Sequence, residues 1–566
     1  MIHRHLLRVL VTIGIAAFTI GTGPLASRAW ASWPSPGTQS LTVGGMATTF
    51  PPVFVSDGDG GTFVAWLDEG YLFRAQHYDA EGVPLWASDG MALFTQPAFA
   101  FLPSAAPDGT GGLLFVWFVN GDTSHVYAQR LSSAGVRLWG DEGMSPVPST
   151  FDQRFPTVLA SGDGGALVLM ADSQPAIGPR VRAQRLSAEG VPQWGTLGVE
   201  LDPGVNQAGL PVAVSDGAFG AHVAWLSFAN YAVSDGDYLY QHVSATGALA
   251  TPNAQPLCTA PGAVGQMVAA SAPDGGAVFA WHDQRDAGYS QWDIYAQRFD
   301  AAGVPQWPAD GLAVCAHTWD QGTPSVTVTN DGVAWCAWVD DRFGAGVYSV
   351  PALFAQALSP GGTPLLEEFG ERITQTITST VKLSPGADGD AIAAWTPGTV
   401  AGGLRAQKLS KLGGKAWPDT GAALGSGFVN GFIGMTPIGG HRTAALWFSE
   451  APTAYPVRMQ QVGLNGVAGG PSLAGVAPPR ADDAPGVRVE GSPAIAFARL
   501  SADRERVRVL DAAGRAVRTL ALARSADGWR GTWDLRDDAG RRVSAGLYFV
   551  RAGDGGARGA RVVVLR

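Results

Sequence analysis

Three cysteines, Cys258, Cys315 and Cys336, are all that 566 residues contain. An odd number without Cys-x-x-Cys spacing argues against a disulfide framework or a zinc site. Buried free thiols are the expectation. Nine histidines are present, seven of them after residue 31, and none is paired at metal-ligand spacing. There is no Gly-x-Ser-x-Gly element and no phosphate loop. Between Ser32 and Gly470 no segment sustains a helical period, which argues against helical repeats. After residue 31 no apolar run is long enough to cross a bilayer. Charged residues make up only 15% of the chain, while aromatics reach 10% and glycines number 76. That composition suits packed strands joined by many turns rather than disorder.

What the chain has instead is a phrase repeated about eight times. A strand ending in Trp recurs as Val64-Ala65-Trp66, Val116-Trp117, Val168-Leu169-Met170, Val223-Ala224-Trp225, Phe279-Ala280-Trp281, Cys336-Ala337-Trp338, Ala393-Ala394-Trp395 and Ala445-Leu446-Trp447. The spacing is 51 to 57 residues, and Met170 is the one departure from Trp. An alternating run precedes most copies, joined to them by turns such as Asp274-Gly275-Gly276, which read as hairpins. A third strand follows, for example Tyr295-Ala296-Gln297-Arg298-Phe299. Then come a Gly-Val turn, a second Trp and a short fourth strand. Four short strands in each unit of this length predict the blade of a β-propeller.

The phase of the repeat predicts closure. Trp33-Pro34-Ser35-Pro36-Gly37 and Leu41-Thr42-Val43 match Trp307-Pro308-Ala309-Asp310-Gly311 and Leu312-Ala313-Val314, so the repeats begin at a fourth strand. The last repeat loses its own fourth strand near Gly466. Residues around Ser40-Leu41-Thr42-Val43 are therefore expected to complete it and remove both free edges. The expected fold is all-β: an eight-bladed propeller over 32–470, with seven blades plus a degenerate unit as the alternative. A small Ig-like β-sandwich is expected to follow.

The N-terminus reads as a secretory signal over 1–31. Arg4 and Arg8 precede the apolar stretch Leu6 to Ile20, and Ala29-Trp30-Ala31 has the small-x-small form of a cleavage site. The expected location is secreted or at the outer cell surface, with no membrane span after cleavage. Charge divides along the chain. Residues 32–479 carry a net of −19, and residues 480–566 a net of +6. An acidic propeller is a poor nucleic-acid binder, because phosphates dominate such affinity.

Residues 471–492 are rich in Pro, Gly, Ala and Asp and read as a linker. Beyond them, 493–566 holds short alternating strands separated by turns, as in a β-sandwich. Val507-Arg508-Val509-Leu510-Asp511-Ala512-Ala513-Gly514-Arg515 resembles the strand–turn–strand of FlgD-like Ig-like domains. Trp533-Asp534-Leu535, with Ala545-Gly546-Leu547-Tyr548-Phe549-Val550, resembles the second half of that signature. These domains resemble the C-terminal sorting domains of type IX secretion cargo. The resemblance covers about 75 residues, and it implies the secretion machinery as a partner. Ser492-Pro493 stands where the usual opening Asn-Pro would be. The propeller repeats resemble those of uncharacterised secreted bacterial proteins with such tails, a likeness that brings no assigned activity.

Chemistry is expected on the loops joining second and third strands, which share one face with the inter-blade connections. The candidate ligand-binding residues are Asp235, Asp237, His282, Asp283, Arg285, Asp286, Trp292, Asp340, Asp341 and Arg342. Trp281-His282-Asp283-Gln284-Arg285 and Trp338-Val339-Asp340-Asp341-Arg342 are the most site-like pieces. An Asp and an Arg two residues apart fit a carboxylate, a sugar or a cation. The favoured reading is a salt-bridged loop anchor, because structural ion pairs are commoner than binding sites. Gln153, Gln207, Gln266 and Gln321 recur before first strands, either lining the channel mouth or bonding a turn. No cofactor is expected. Calcium has candidate ligands in Asp57 and Asp59 or in Asp235 and Asp237, without the full spacing of a calcium loop. Ser56-Asp57-Gly58-Asp59-Gly60-Gly61-Thr62-Phe63 differs from a sialidase box, with Gly58 for Asp and Phe63 for Trp. The leading reading is a non-enzymatic exported propeller binding a glycan or protein. The alternatives are an extracellular glycan hydrolase or lyase and a structural cell-surface protein.

Overall fold

The computed structural model describes residues 41–46. It also describes residues 51–468 except 69, 88, 96–99, 175–177, 203–206, 229–235, 286–290, 344–350, 375–377, 398–402, 426–428, 439–441, 450–454 and 464–467, together with strands and turns between 487 and 564. The expected signal segment lies outside them. Two compact units divide at the Gly470–Pro471 bond. Among the described residues every regular element is a β-strand.

Each repeat folds as one antiparallel sheet, with its strands side by side in chain order. Blade 5 is representative: Val264–Ser271, Ala277–Asp283, Asp293–Phe299 and Leu312–Cys315. Seven sheets have four strands. The sheet of blade 2 has three, and an isolated Ala128–Met144 bridge stands at the fourth position. First strands touch those of the neighbouring blades all the way round, and Val429–Ile438 of blade 8 meets Val53–Ser56 of blade 1. Eight apolar clusters fill the ring, one between each pair of adjacent blades. The fold is an eight-bladed β-propeller, so the seven-blade alternative is set aside.

Closure follows the phase of the repeat. Leu41–Met46 lies antiparallel against Tyr455–Val462 as the outer strand of blade 8. Val43 is buried between blades 8 and 1 with Val64, Trp66 and Met459. Pairing the chain's first described strand with its last repeat removes two edges at once.

The recurring residues are fasteners. In blade 5, Gln297 Oε1 accepts the N–H groups of Arg298 and Trp307, while Nε2 donates to the Pro308 carbonyl, fixing the third-to-fourth-strand turn. Gln76, Gln129, Gln356 and Gln407 repeat the arrangement. Trp307 Nε1 donates to the Pro360 carbonyl of the next blade, as Trp86 and Trp139 do to Ser133 and Ala188. Arg298 binds Asp274 in its own hairpin and the Gly332 carbonyl of blade 6. Gly311 (φ +91°) must be Gly, because a Cβ there would lie 2.5 Å from Cη2 of Trp281. The three cysteines are free and buried.

The second unit contains two four-stranded antiparallel sheets. Residues 471–492, expected as linker, contribute the strand Val487–Val489, which pairs with Ile495–Leu500. Its alternating Val-Arg-Val pattern is short enough to be lost in the surrounding Pro- and Gly-rich composition.

Candidate functional site

The Asp-x-Arg pairs are spent inside the scaffold, on their own blade and on the fourth strand of the preceding one. Asp283 Oδ2 accepts from Trp281 Nε1 at 2.9 Å and from an Arg285 terminal nitrogen at 2.6 Å. The same guanidinium donates to the Asp310 carbonyl at 2.7 Å, lies 3.3 Å from Cys258 Sγ and covers the Tyr295 ring at 3.6 Å. Blade 6 repeats this: Asp340 holds Trp338 Nε1 and Arg342, which reaches Cys315 Sγ and the Phe369 carbonyl and covers Phe354. Asp283 and Asp340 are buried. In blade 3, where Met170 replaces Trp, Arg182 approaches Asp172 at 3.2 Å instead. Asp283, Arg285, Asp340 and Arg342 thus tie the second strand to the turn before the fourth.

His282 and Trp292 lie elsewhere, in a cavity of about 170 Å³ between blades 5 and 6 that Asp320, Gln321, Thr323 and Asp341 also line. The Trp292 and His282 ring centres are 4.5 Å apart. Trp292 is gripped through its backbone: its N–H donates to Asp320 Oδ1, and its carbonyl accepts the Gln321 N–H at 2.6 Å. Asp152 and Gln153 hold Ser124 in the same way three repeats earlier, between blades 2 and 3. Gln153 and Gln321 are therefore turn anchors. Gln266 differs: it is exposed, and its N–H donates to His282 Nε2 at 2.9 Å. Of Gln207 only the backbone is described.

That last bond fixes the imidazole. With Nε2 accepting, the proton of neutral His282 sits on Nδ1. His282 Nδ1 and Thr323 Oγ1 are buried without a hydrogen-bond partner. The ring fits because Gly265 is beside it; a Cβ there would fall 1.7 Å from Nε2. Burial pushes the His282 pKa down to about 4, against the opposing charges of Asp283 and Asp320. The cavity thus presents a neutral N–H donor, a free hydroxyl, an aromatic face and two carboxylates.

The depressed pKa has a thermodynamic consequence. The unfolded chain protonates His282 near 6.5, and the folded protein only near 4. Stability is fully present above 6.5 and is lost as pH falls through that window, by on the order of 3 kcal/mol from this group. Burial lowers the His222 pKa as well, with the same sign. Urea midpoints at pH 7 and pH 4 check this, and His282→Gln is expected to shrink the difference.

Of the remaining sequence candidates, Asp237 stands largely exposed at the start of the third strand of blade 4, where its partial desolvation and then the charge of Asp310 raise its pKa. Asp341 donates its N–H to the Asp320 carbonyl. Asp235 and Asp286 lie outside the described residues. Asp57 Oδ1 accepts from Asp59 and Gly61, and Oδ2 meets His77 at 2.9 Å, so that carboxylate serves its hairpin. Sequence reasoning missed Asp320 and Thr323. Asp320 differs from other loop acids only in preceding one of the recurring glutamines. Thr323 is marked by left-handed backbone (φ +49°) before Pro324, a pattern shared by Leu102-Pro103, Phe155-Pro156 and Leu210-Pro211.

No family model matches the chain, and no curated protein matches it. Among solved structures it is similar to a puromycin hydrolase (15% identity, 75% of this chain and 62% of that one, TM-score 0.39). It is also similar to the polysaccharide lyase Uly1 (11%, 66% and 92%, 0.40). A third likeness is to a PL25 ulvan lyase bound to a glucuronate–sulfated rhamnose unit (10%, 78% and 98%, 0.41). The chain thus spans less than two thirds of the puromycin hydrolase. None of these likenesses bears on what the cavity does.

Proposed function

We propose that the propeller is an exported glycan-binding module whose site is the cavity between blades 5 and 6. One observation carries the reading: an immobilised Trp292 faces a cavity with an unsatisfied neutral N–H, a free hydroxyl and two carboxylates. A sugar ring offers an apolar C–H face to an aromatic, and its hydroxyls both donate and accept. Few polar groups placed in a preformed concavity give orientation, and an unmet buried donor favours any ligand that supplies an acceptor. A glycan array probed with residues 32–470 is the test. Trp292→Ala is expected to weaken the hits by about tenfold or more, or about 1.4 kcal/mol, from lost ring contact. A silent array would reject the reading.

Cleavage of the glycan at the same cavity is the second reading, because His282, Asp320 and Asp341 converge there. Prolonged incubation with an array hit separates the two: shortened or unsaturated products support cleavage, and intact glycan supports capture.

Export and sorting complete the proposal. The signal-like N-terminus supports export, and the FlgD-like signature of residues 493–566 supports a sorting role. Deleting residues 480–566 is expected to trap the protein in the periplasm. Undiminished extracellular release of the deletion protein would reject that role.

A further inference from the structure

The cavity between blades 5 and 6 carries two unlike sets of polar groups. The first set accepts. Asp320 and Asp341 line the cavity, and among its described lining residues there is no lysine or arginine. The arginines nearest in sequence, Arg285 and Arg342, are committed to Asp283 and Asp340 at 2.6 Å each. Asp320 Oδ1 takes the Trp292 N–H, and a carboxylate, with about four lone-pair sites, keeps room for further donors. Burial holds His282 neutral above about pH 4, so the ring adds no positive charge.

The second set donates. His282 Nδ1 carries the ring proton, because Nε2 accepts the Gln266 N–H. Nδ1 and Thr323 Oγ1 are buried without a partner. Gly322, which also lines the cavity, leaves the space before Nδ1 open; a Cβ built there would stand 3.4 Å from it. A buried donor left unmet favours a ligand that brings an acceptor.

Few ligands answer both sets. A bare metal ion would leave the Nδ1–H unmet, and neither ring nitrogen keeps a lone pair to give it. A neutral sugar satisfies the donors but brings no counter-charge to the two carboxylates. A uronate or a sulfated sugar adds a negative charge beside them. An amino sugar meets both demands. Its ammonium pairs with the carboxylates through charge-assisted hydrogen bonds, and oxygens on the neighbouring ring carbons accept from His282 and Thr323. The Trp292 face adds a cation–π contribution.

We propose that this cavity selects glycans bearing a free, unacylated amino group over neutral and anionic ones. The proposal rests on the glycan reading above and narrows it to one ligand class.

Calorimetric titration of the full chain with tetramers of glucosamine, N-acetylglucosamine and galacturonate tests the selection. At about pH 5.5 carboxylates are ionised and amines charged. There the glucosamine tetramer is expected to bind about tenfold tighter than its acetylated counterpart, with the galacturonate tetramer weakest. At about pH 9 the amine is neutral, as an α-amino group is, and the first two should reach parity without any substitution. Asp341→Asn should narrow the preference at the lower pH, and Trp292→Ala should weaken both ligands. A tetralysine peptide carries similar charge without a sugar ring and should bind about tenfold more weakly than the glucosamine tetramer. Equal or tighter binding of the acetylated or galacturonate tetramer overturns the selection while leaving glycan binding in place. Tetralysine binding as tight as that of the glucosamine tetramer, or glucosamine affinity untouched by Trp292→Ala, overturns it as attraction to an acidic surface. Silence of all three saccharides overturns it together with the glycan reading.

Discussion

Deleting residues 41–46 is expected to open the ring. Five of these residues pair with Tyr455–Val462, and Val43 is buried in the cluster between blades 8 and 1. The lost backbone bonds contribute about 1 kcal/mol each and the Val side chain about 2 kcal/mol, so destabilisation on the order of 5 kcal/mol follows. The exposed edge of Tyr455–Val462 then offers unpaired N–H and C=O groups to any other strand. Urea denaturation is expected to show the lower midpoint, and light scattering concentration-dependent association. A circular permutant that begins at residue 51 and carries residues 33–46 after residue 470 should recover both. If the deletion left stability and mass unchanged, the ring would not depend on this strand.

Asp283→Ala should be nearly as severe. The substitution strands the Arg285 guanidinium and the Trp281 N–H in a site that Tyr295 and Cys258 keep dry. Breaking one half of a buried pair costs about 3–5 kcal/mol, because the surviving charge is uncompensated. The double variant Asp283→Ala/Arg285→Leu is expected to lose less than Asp283→Ala alone, since no orphaned charge remains. Asp340→Ala should behave alike in blade 6. If these residues gripped a ligand instead, Asp283→Ala would abolish binding while leaving the urea midpoint in place.

The architecture was legible because its determinants are local and repeated. Trp281 packs on Gly311, and Gln297 clamps the turn before Trp307; both recur in the sequence as fixed spacings. The phase of Trp33-Pro34 against Trp307-Pro308 was enough to place the closing strand. The site was legible only in part. Asp283 and Arg285 stand out in sequence because they break the apolar pattern, but their partners are set by strand register (Trp281 Nε1), by the return of the fourth strand (the Asp310 carbonyl) and by the preceding blade (Cys258 Sγ). His282, one residue earlier on the same strand, points to the opposite face of the sheet, as strand alternation requires. There it meets Thr323 and Asp320 of the next blade. No spacing within one repeat encodes that meeting, because it arises between blades.

A crystal structure of the propeller with an oligosaccharide selected by the array decides where the glycan sits. A sugar ring is expected against Trp292, with a ligand oxygen accepting the Nδ1–H of His282. Density for the same oligosaccharide elsewhere, with the cavity between blades 5 and 6 unchanged, would contradict it.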